Sequence, residues 1–384
     1  MKFGVAFAFQ NYGDWDRFLA LERGEDVGPP AVSDYQIWNE QIALAELVEP
    51  LGFDALWTME QHAAPYLMVC DPTQFLTYFA ARTRRIDFGS MITVLPWHNP
   101  IRLAEQITML QYIMGRDRRY YLGVGRGLAR RNFHAMGVDM DTSRERFNEV
   151  LDVLQLAFSQ EIFSYEGQFF NYKNVSLRPR PLDPDVVLGA YAAWTTDTSM
   201  RKFAERGLHP LTTLNRTMET YLQELEVFYQ VREGAGHGAG ERPIFEAPLY
   251  CCESEQEARE GAEQFFREYI DSVVKIYEVG TEGFGTAKGY EDYRTKGSQF
   301  GDGSAQDAME SLTAKLVRDA IWGTPEQCAE RIVSIAYRVN PSQFVVLLGL
   351  GSMSAAQMEK SLRLYAEEVM PRVAHLRSRE PAVA

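Results

Sequence analysis

The sequence predicts a single (β/α)8 barrel spanning 1–384. Three observations carry that reading. Eight short strand-like runs alternate with helical patterns along most of the chain, no linker divides it, and the first run lacks the glycine turn of a doubly wound dinucleotide fold. An open sheet of that second kind needs G-x-G-x-x-G after its first strand. Here Gln10, Asn11, Tyr12 and Gly13 follow instead.

The first strand is FGVAFAF (3–9), which reads as a buried strand rather than a signal peptide. Residues 35–50 place Ile37, Leu44, Leu47 and Val48 at helical spacing, with Gly52 just beyond as a stop. DALW (54–57) is the second strand, followed by a helix near 73–83. IDFGSMITVL (86–95) is the third, bounded by Pro96 and followed by a helix at 101–114. RYYLGV (119–124) runs into the glycine-rich turn GVGRG (123–127), and a long helix is expected at about 142–160. The alternation then breaks. EGQFFNYKNVSLRPRP (166–181) patterns as a hairpin with Lys173-Asn174 as turn residues, making an excursion at about 161–181. Strands resume at 186–191, 208–212 and 243–252, with helices ending at Arg206, at 215–232 and at 254–276. Residues 277–318 are rich in glycine, tyrosine and charge, show weak periodicity, and read as a loop insertion. A helix from Pro325, a strand at 343–350 and a terminal helix complete the pattern.

Composition agrees with a globular chain rather than a disordered one. Apolar residues make up 46% and charged residues 24% of the 384, the profile of a globular chain with a large core. Lys and Arg total 39 against 53 Asp and Glu, a formal charge of −14, which argues against nucleic-acid or anionic-membrane binding. No apolar run is long enough to span a bilayer. Cys70, Cys251, Cys252 and Cys328 form no paired motif and read as reduced, mostly buried thiols, so a cytoplasmic location is expected.

In a barrel of this kind chemistry gathers at the C-terminal strand ends. There the sequence sets Thr58 to His62, Pro96 to Pro100, GVGRG, and Trp194 to Ser199. Glycines in GVGRG allow close backbone approach, and Arg126 adds a cation suited to phosphate. The hydroxyls of Thr195, Thr196, Thr198 and Ser199 precede a helix, where they cap it or bind an anion with its free N–H groups. A tight turn plus an N-cap is the plainer reading of the same residues. His62, beside Glu60, is a candidate proton handler. His98 between two prolines reads as a rigid corner, and His134 as a helical residue. No ligand spacing supports a metal site, and no GxSxG elbow supports a serine hydrolase. Phe7, Phe9, Tyr12, Trp15, Trp57, Tyr66, Trp97 and Trp194 cluster near strand ends and suggest a mouth for a flat or apolar ligand.

GFDALWTMEQH (52–62), FGSMITVLPWHNPIRLAEQ (88–106), LGVGRG (122–127), FHAMGVDMDTSRERF (133–147) and GTPEQCAERI (323–332) together resemble the bacterial luciferase-like flavin monooxygenases, over nearly the whole length. The resemblance implies the (β/α)8 fold and reduced FMN lying across the strand ends. Arg126 and the Gly125 backbone match the family's phosphate-contacting turn, and Thr196 and Ser199 its phosphate-binding hydroxyls. Ser90-Met91 matches the segment beneath the isoalloxazine, where the family often has a non-proline cis peptide.

His62 matches the second His of the luciferase Glu-His-His run. Gln61 stands where the first, usually assigned the catalytic role, would be, and Gly125 replaces the reactive Cys, so light-emitting aldehyde oxidation is not implied. What is implied is a two-component monooxygenase. It would take reduced FMN from a separate flavin reductase and oxygenate a small apolar or aromatic substrate through a flavin 4a-hydroperoxide. His62, oriented by Glu60, would stabilise or protonate that species, and 277–318 would serve as the mobile lid. A homodimer through the helices near 73–83 and 101–114 is implied as well. Two alternatives remain. One is a deazaflavin-dependent oxidoreductase, whose coenzyme tail could meet Arg116, Arg118, Arg119, Arg126, Arg130 and Arg131; the other is a non-catalytic flavin-binding accessory subunit. Substrate identity, and hydroxylation against Baeyer-Villiger oxygen insertion, are left open.

Overall fold

The computed structural model describes residues 1–213, 216–294, 300 and 304–377. Its centre is a curled parallel sheet wrapped by helices. The strands are β1 (Lys2–Phe7), β2 (Ala55–Thr58), β3 (Asp87–Ser90), β4 (Thr93–Val94), β5 (Tyr120–Tyr121), β6 (Gly123–Gly125), β9 (Tyr191–Ala193), β10 (His209–Thr213), β11 (Ile244–Cys251), β12 (Ile321–Gly323) and β13 (Gln343–Leu348). A separate antiparallel pair joins β7 (Phe163–Glu166) and β8 (Asn171–Val175). β1 lies between β2 and β13, and the path continues through β3 to β5 on one side and through β11, β10, β9 and β6 to β4 on the other. β3 with β4, and β5 with β6, are successive pieces of one run each, so the curl returns on itself there. Every side chain of β11 is buried, as expected of a parallel strand covered on both faces.

Local chemistry sets the helix limits. Asp71 and Asn99 cap Pro72–Arg82 and Pro100–Met114, each with proline in the first turn, where its missing N–H goes unneeded. Thr324 caps Pro325–Val339 through a reciprocal bond with Gln327. The helices Asp34–Ala45, Ser143–Ser159, Asp197–Glu205, Met218–Gly234 and Glu255–Tyr277 follow the predicted order within a few residues.

Four features differ from the sequence reading. The strand expected at 186–191 is displaced to Tyr191–Ala193, because Asp183 accepts from the Asp185 N–H and starts a short 3-10 turn at Pro184–Val186. The hairpin turns at 167–170, where the Gly167 N–H reaches the Phe170 carbonyl (3.0 Å). Asn174, at φ 52°, lies inside β8 beside an irregularity in the pairing and is no part of the turn. Within 277–318, Ala305–Asp319 is a helix closed by a Ser304–Asp307 capping box. The short β12, pairing with β11, has no counterpart in the sequence reading; three residues are too few for periodicity to register. Residues 295–299 and 301–303 of the insertion lie outside the described residues.

Candidate active site

A cavity of about 250 Å³ opens at the C-terminal strand ends. Met59, Glu60 and Gln61 after β2, Met91 and Ile92 after β3, Arg126 and Gly127 after β6, and Trp194 and Thr195 after β9 line it. Tyr269, Ile270, Val273 and Tyr277 of the helix Glu255–Tyr277 form a further wall. Tyr293, Phe300, Leu312, Lys315 and Leu316 of the insertion add another. Described residues of the insertion are fastened to the barrel: Tyr290 Oη donates to the Gly127 carbonyl (2.9 Å), Lys288 pairs with Glu145 (2.6 Å), and Arg130 pairs with Glu278 (3.0 Å).

The cationic end is built around Arg126, only 5% exposed. Its Nη2 donates to the Gly289 carbonyl (2.9 Å) and to Ser199 Oγ (3.3 Å), and the Tyr290 ring lies 4.4 Å from its carbon centre. Its Nη1 is buried with no hydrogen-bond partner. Thr196 caps the helix Asp197–Glu205, its Oγ1 accepting from the Ser199 N–H (3.3 Å). The Arg144 guanidinium is half-buried, and desolvation together with the charge of Arg126 pushes its pKa down. Two guanidiniums in mutual repulsion, one with an unmet donor, beside two hydroxyls at a helix N-terminus, fit a phosphate dianion. Arg144 was not singled out from the sequence, although it lies inside the FHAMGVDMDTSRERF signature.

Gly125 also has a packing role. A Cβ there would collide with Ile92 Cδ1, so the glycine makes room for a side chain that lines the cavity. Ser90 is likewise turned inward: its Oγ donates to the Gly123 carbonyl (3.1 Å) and accepts from Thr93 Oγ1, Tyr120 Oη and the Gly123 N–H. Met91 is the member of that segment that faces the cavity, and the peptide between Met91 and Ile92 is cis.

Glu60 is fully buried and held from three sides. Its carboxylate accepts from the Val94 N–H (2.7 Å) and bonds His62 Nε2 (3.0 Å) and His98 Nε2 (2.9 Å). Burial pushes its pKa up, but the His98 charge, the two histidine bonds and the backbone N–H outweigh it, and the net shift is downward. His98 moves the opposite way: burial lowers its pKa, Glu60 raises it, and the net shift is upward. Each partner thus favours the charged form of the other. His98, read from the sequence as a rigid corner, is the principal partner of Glu60. His62 does not line the cavity. Its ring meets Trp97 edge-on (5.2 Å), while Gln61 faces inward, bonded to Asn132 and, at 3.5 Å, by its Nε2 to Tyr277 Oη.

The aromatic mouth also differs in membership. Of the eight aromatics expected there, Tyr66 and Trp194 line the cavity, whereas Phe7, Phe9, Trp15 and Trp57 are core residues. Tyr269, Tyr277, Tyr293 and Phe300 replace them, supplied by segments remote in sequence from the strand ends. The arginines considered for a coenzyme tail do not converge. Arg118 bonds backbone carbonyls, Arg119, Arg130 and Arg131 pair with Glu241, Glu278 and Glu22, and Arg126 alone of the six lines the cavity.

The family model described as luciferase-like monooxygenase matches residues 18–339. The chain belongs to the luciferase-like monooxygenase family. The 4-hydroxyprotoasukamycin monooxygenase of Streptomyces nodosus subsp. asukaensis is 30% identical over 189 residues, spanning 49% of this chain and 48% of that protein, about half the length of each. The monooxygenase RslO1 from Streptomyces bottropensis superposes with a TM-score of 0.74 at 24% identity, over 97% of this chain and 100% of that one. The oxygenating constituent of 3,6-diketocamphane monooxygenase from Pseudomonas putida, solved with FMN, gives a TM-score of 0.70 at 18% identity, over 97% and 98%. These structural likenesses speak to the fold. In this luciferase-like monooxygenase the insertion carries much of the cavity wall, so the ligand space depends on residues far from the strand-end motifs.

Proposed function

We propose that the protein is a two-component monooxygenase that takes reduced FMN from a separate flavin reductase and oxygenates a small, largely apolar substrate. The observation that carries this reading is the buried Arg126 guanidinium, with Nη1 unpartnered beside Arg144, Thr196 and Ser199 at one end of an apolar cavity. Arg126, Ser199 and the Asp197–Glu205 N-terminus would hold the phosphate, with Arg144 supplying a second positive charge, and Met91 and Ile92 would support the ring. Bound reduced FMN would supply the electrons that activate oxygen. The chain's own part is to exclude water, through the fastened insertion and the apolar walls, and to keep a buried carboxylate on the cavity wall. Glu60 lines the cavity and stores charge with His98 and His62 behind it, so the two histidines act through Glu60 as positioning residues.

The finer architecture belongs to the same reading: a (β/α)8 barrel in which the paired runs 87–94 and 120–125 each make one barrel position and β12 is supernumerary. Tyr78 on Pro72–Arg82 and Met109, Tyr112 and Ile113 on Pro100–Met114 expose large apolar area, which supports a homodimer through those helices.

The test is a titration with oxidised FMN, reduced FMN and a reduced deazaflavin, followed by rapid mixing with oxygen. Preferential binding of reduced FMN, weakened by about 100-fold in Arg126→Leu, with an oxygen-dependent absorbance transient, is the expected result. Deazaflavin binding without an oxygen reaction would overturn it in favour of hydride transfer. FMN binding without any transient would point to an accessory protein.

A further inference from the structure

The cavity contains a carboxyl group that the phosphate site and the Glu60 cluster do not use. Glu246 lies on β11, in register with Thr213 of β10 and Val345 of β13, and is 4% exposed. It lines the cavity, and its Oε1 is buried with no hydrogen-bond partner. Pro248, Leu347, Ile270 and Val273 line the same cavity, so solvent offers little compensation. The phenols of Tyr66 and Tyr269 interact electrostatically with it and are pushed up by burial; Tyr277, also pushed up by burial, and Lys315, pushed down by burial, line the same cavity. Tyr66 Oη donates to Tyr269 Oη (3.2 Å), so those phenols are already engaged with each other.

A buried polar group without a partner is costly, and an apolar cavity that keeps one reserves it for a ligand atom. Burial alone pushes Glu246 up to about 8, so at neutral pH it is an acid with an O–H to give. A cationic ligand would have to force this group to ionise, the other carboxylate of the cavity, Glu60, being already paired with His98, and Lys315 on the same cavity would repel it. An uncharged acceptor meets neither obstacle.

We propose that the Glu246 carboxyl donates a hydrogen bond to a carbonyl oxygen of an uncharged substrate, making this part of the cavity wall a carbonyl-recognition site. The assignment rests on the monooxygenase reading for the word substrate, but the binding site itself can be tested without flavin or oxygen. The probes are acetophenone, its isostere α-methylstyrene with C=CH2 in place of C=O, and the cation α-methylbenzylamine. Each is titrated into the full-length wild type, Glu246→Gln and Glu246→Leu, followed by intrinsic fluorescence, with near-ultraviolet circular dichroism confirming that each variant is folded.

Wild type is expected to prefer acetophenone over α-methylstyrene by about 10-fold at pH 7, the worth of one buried hydrogen bond. Glu246→Gln, which keeps an N–H donor, retains most of that preference and loses its pH dependence, whereas Glu246→Leu reduces it to about unity. Raising the pH above about 8 removes the preference in wild type as the carboxyl ionises. A flat pH profile in Glu246→Gln separates Glu246 from Lys315. Equal binding of ketone and alkene in wild type, an unchanged ratio in Glu246→Leu, or tightest binding of the amine would each overturn the proposal. Failure of the monooxygenase reading would appear instead in the reduced-FMN titration, with these ratios intact.

Discussion

Glu60 and Glu246 are both fully buried glutamates on the wall of one cavity, yet they are held in opposite charge states. Glu60 has two imidazoles and a backbone N–H directed at its oxygens, and its pKa is shifted down. Glu246 has no partner for Oε1, and its pKa is shifted up to about 8. Burial opposes the charged form equally in both, so the difference lies in the partners. One group stores a negative charge; the other stores a proton.

The comparison can be broken first through pH. Folding raises the Glu246 pKa from 4.5 to about 8, so between those values the folded protein binds a proton that the unfolded chain releases. Stability of the wild type should therefore fall as pH rises across that window, relative to Glu246→Gln, by about 5 kcal/mol in total. Urea unfolding of both proteins at pH 5 and pH 9 measures it; a difference independent of pH would mean that Glu246 is ionised in the fold.

Replacing each group by leucine at pH 5, where proton linkage at Glu246 is worth no more than about 1 kcal/mol, gives the next largest contrast. Glu60→Leu leaves a buried imidazolium and the Val94 N–H without their acceptor and should cost about 3–5 kcal/mol. Glu246→Leu removes an unsatisfied neutral group and should change stability by no more than about 1 kcal/mol. Equal losses in the two variants would show that packing, not charge, distinguishes the sites.

A smaller effect separates the two histidines. His98→Gln should cost about 2 kcal/mol at pH 6. Because folding raises the His98 pKa, that contribution is complete below 6.5 and fades as pH rises through the folded value. The Glu60 contribution runs the other way, complete above 4.5 and lost as pH falls through its depressed value. The pair is thus worth most between the two. His62→Gln should cost about 1 kcal/mol, the value of one hydrogen bond to the same carboxylate. A larger loss at His62 than at His98 would reverse the ranking of the two partners.

Much of this was readable from the chain before folding. The capping residues Asp71, Asn99 and Thr324, each followed by proline, mark helix starts that the structure keeps. Arg126, Ser199, Met91 and Glu60 do line one cavity. What was missed has a common cause. His98 looked like part of a proline corner because its partner, Glu60, lies 38 residues away. The closing of Thr93, Tyr120 and Gly123 on the Ser90 hydroxyl has no local signal either. Glu246 sits in the run PIFEAPLYCC, where a single acid among apolar residues gives no period to read.

The sequence by itself determined the succession of strands and helices and the strand-end turns, because hydrophobic period, caps and glycine conformation act over a few residues. Only the tertiary structure decided which carboxyl is charged, which histidine matters most and which aromatics wall the cavity. Those properties depend on desolvation and on partners brought within about 3 Å from distant parts of the chain, and neither is a local quantity.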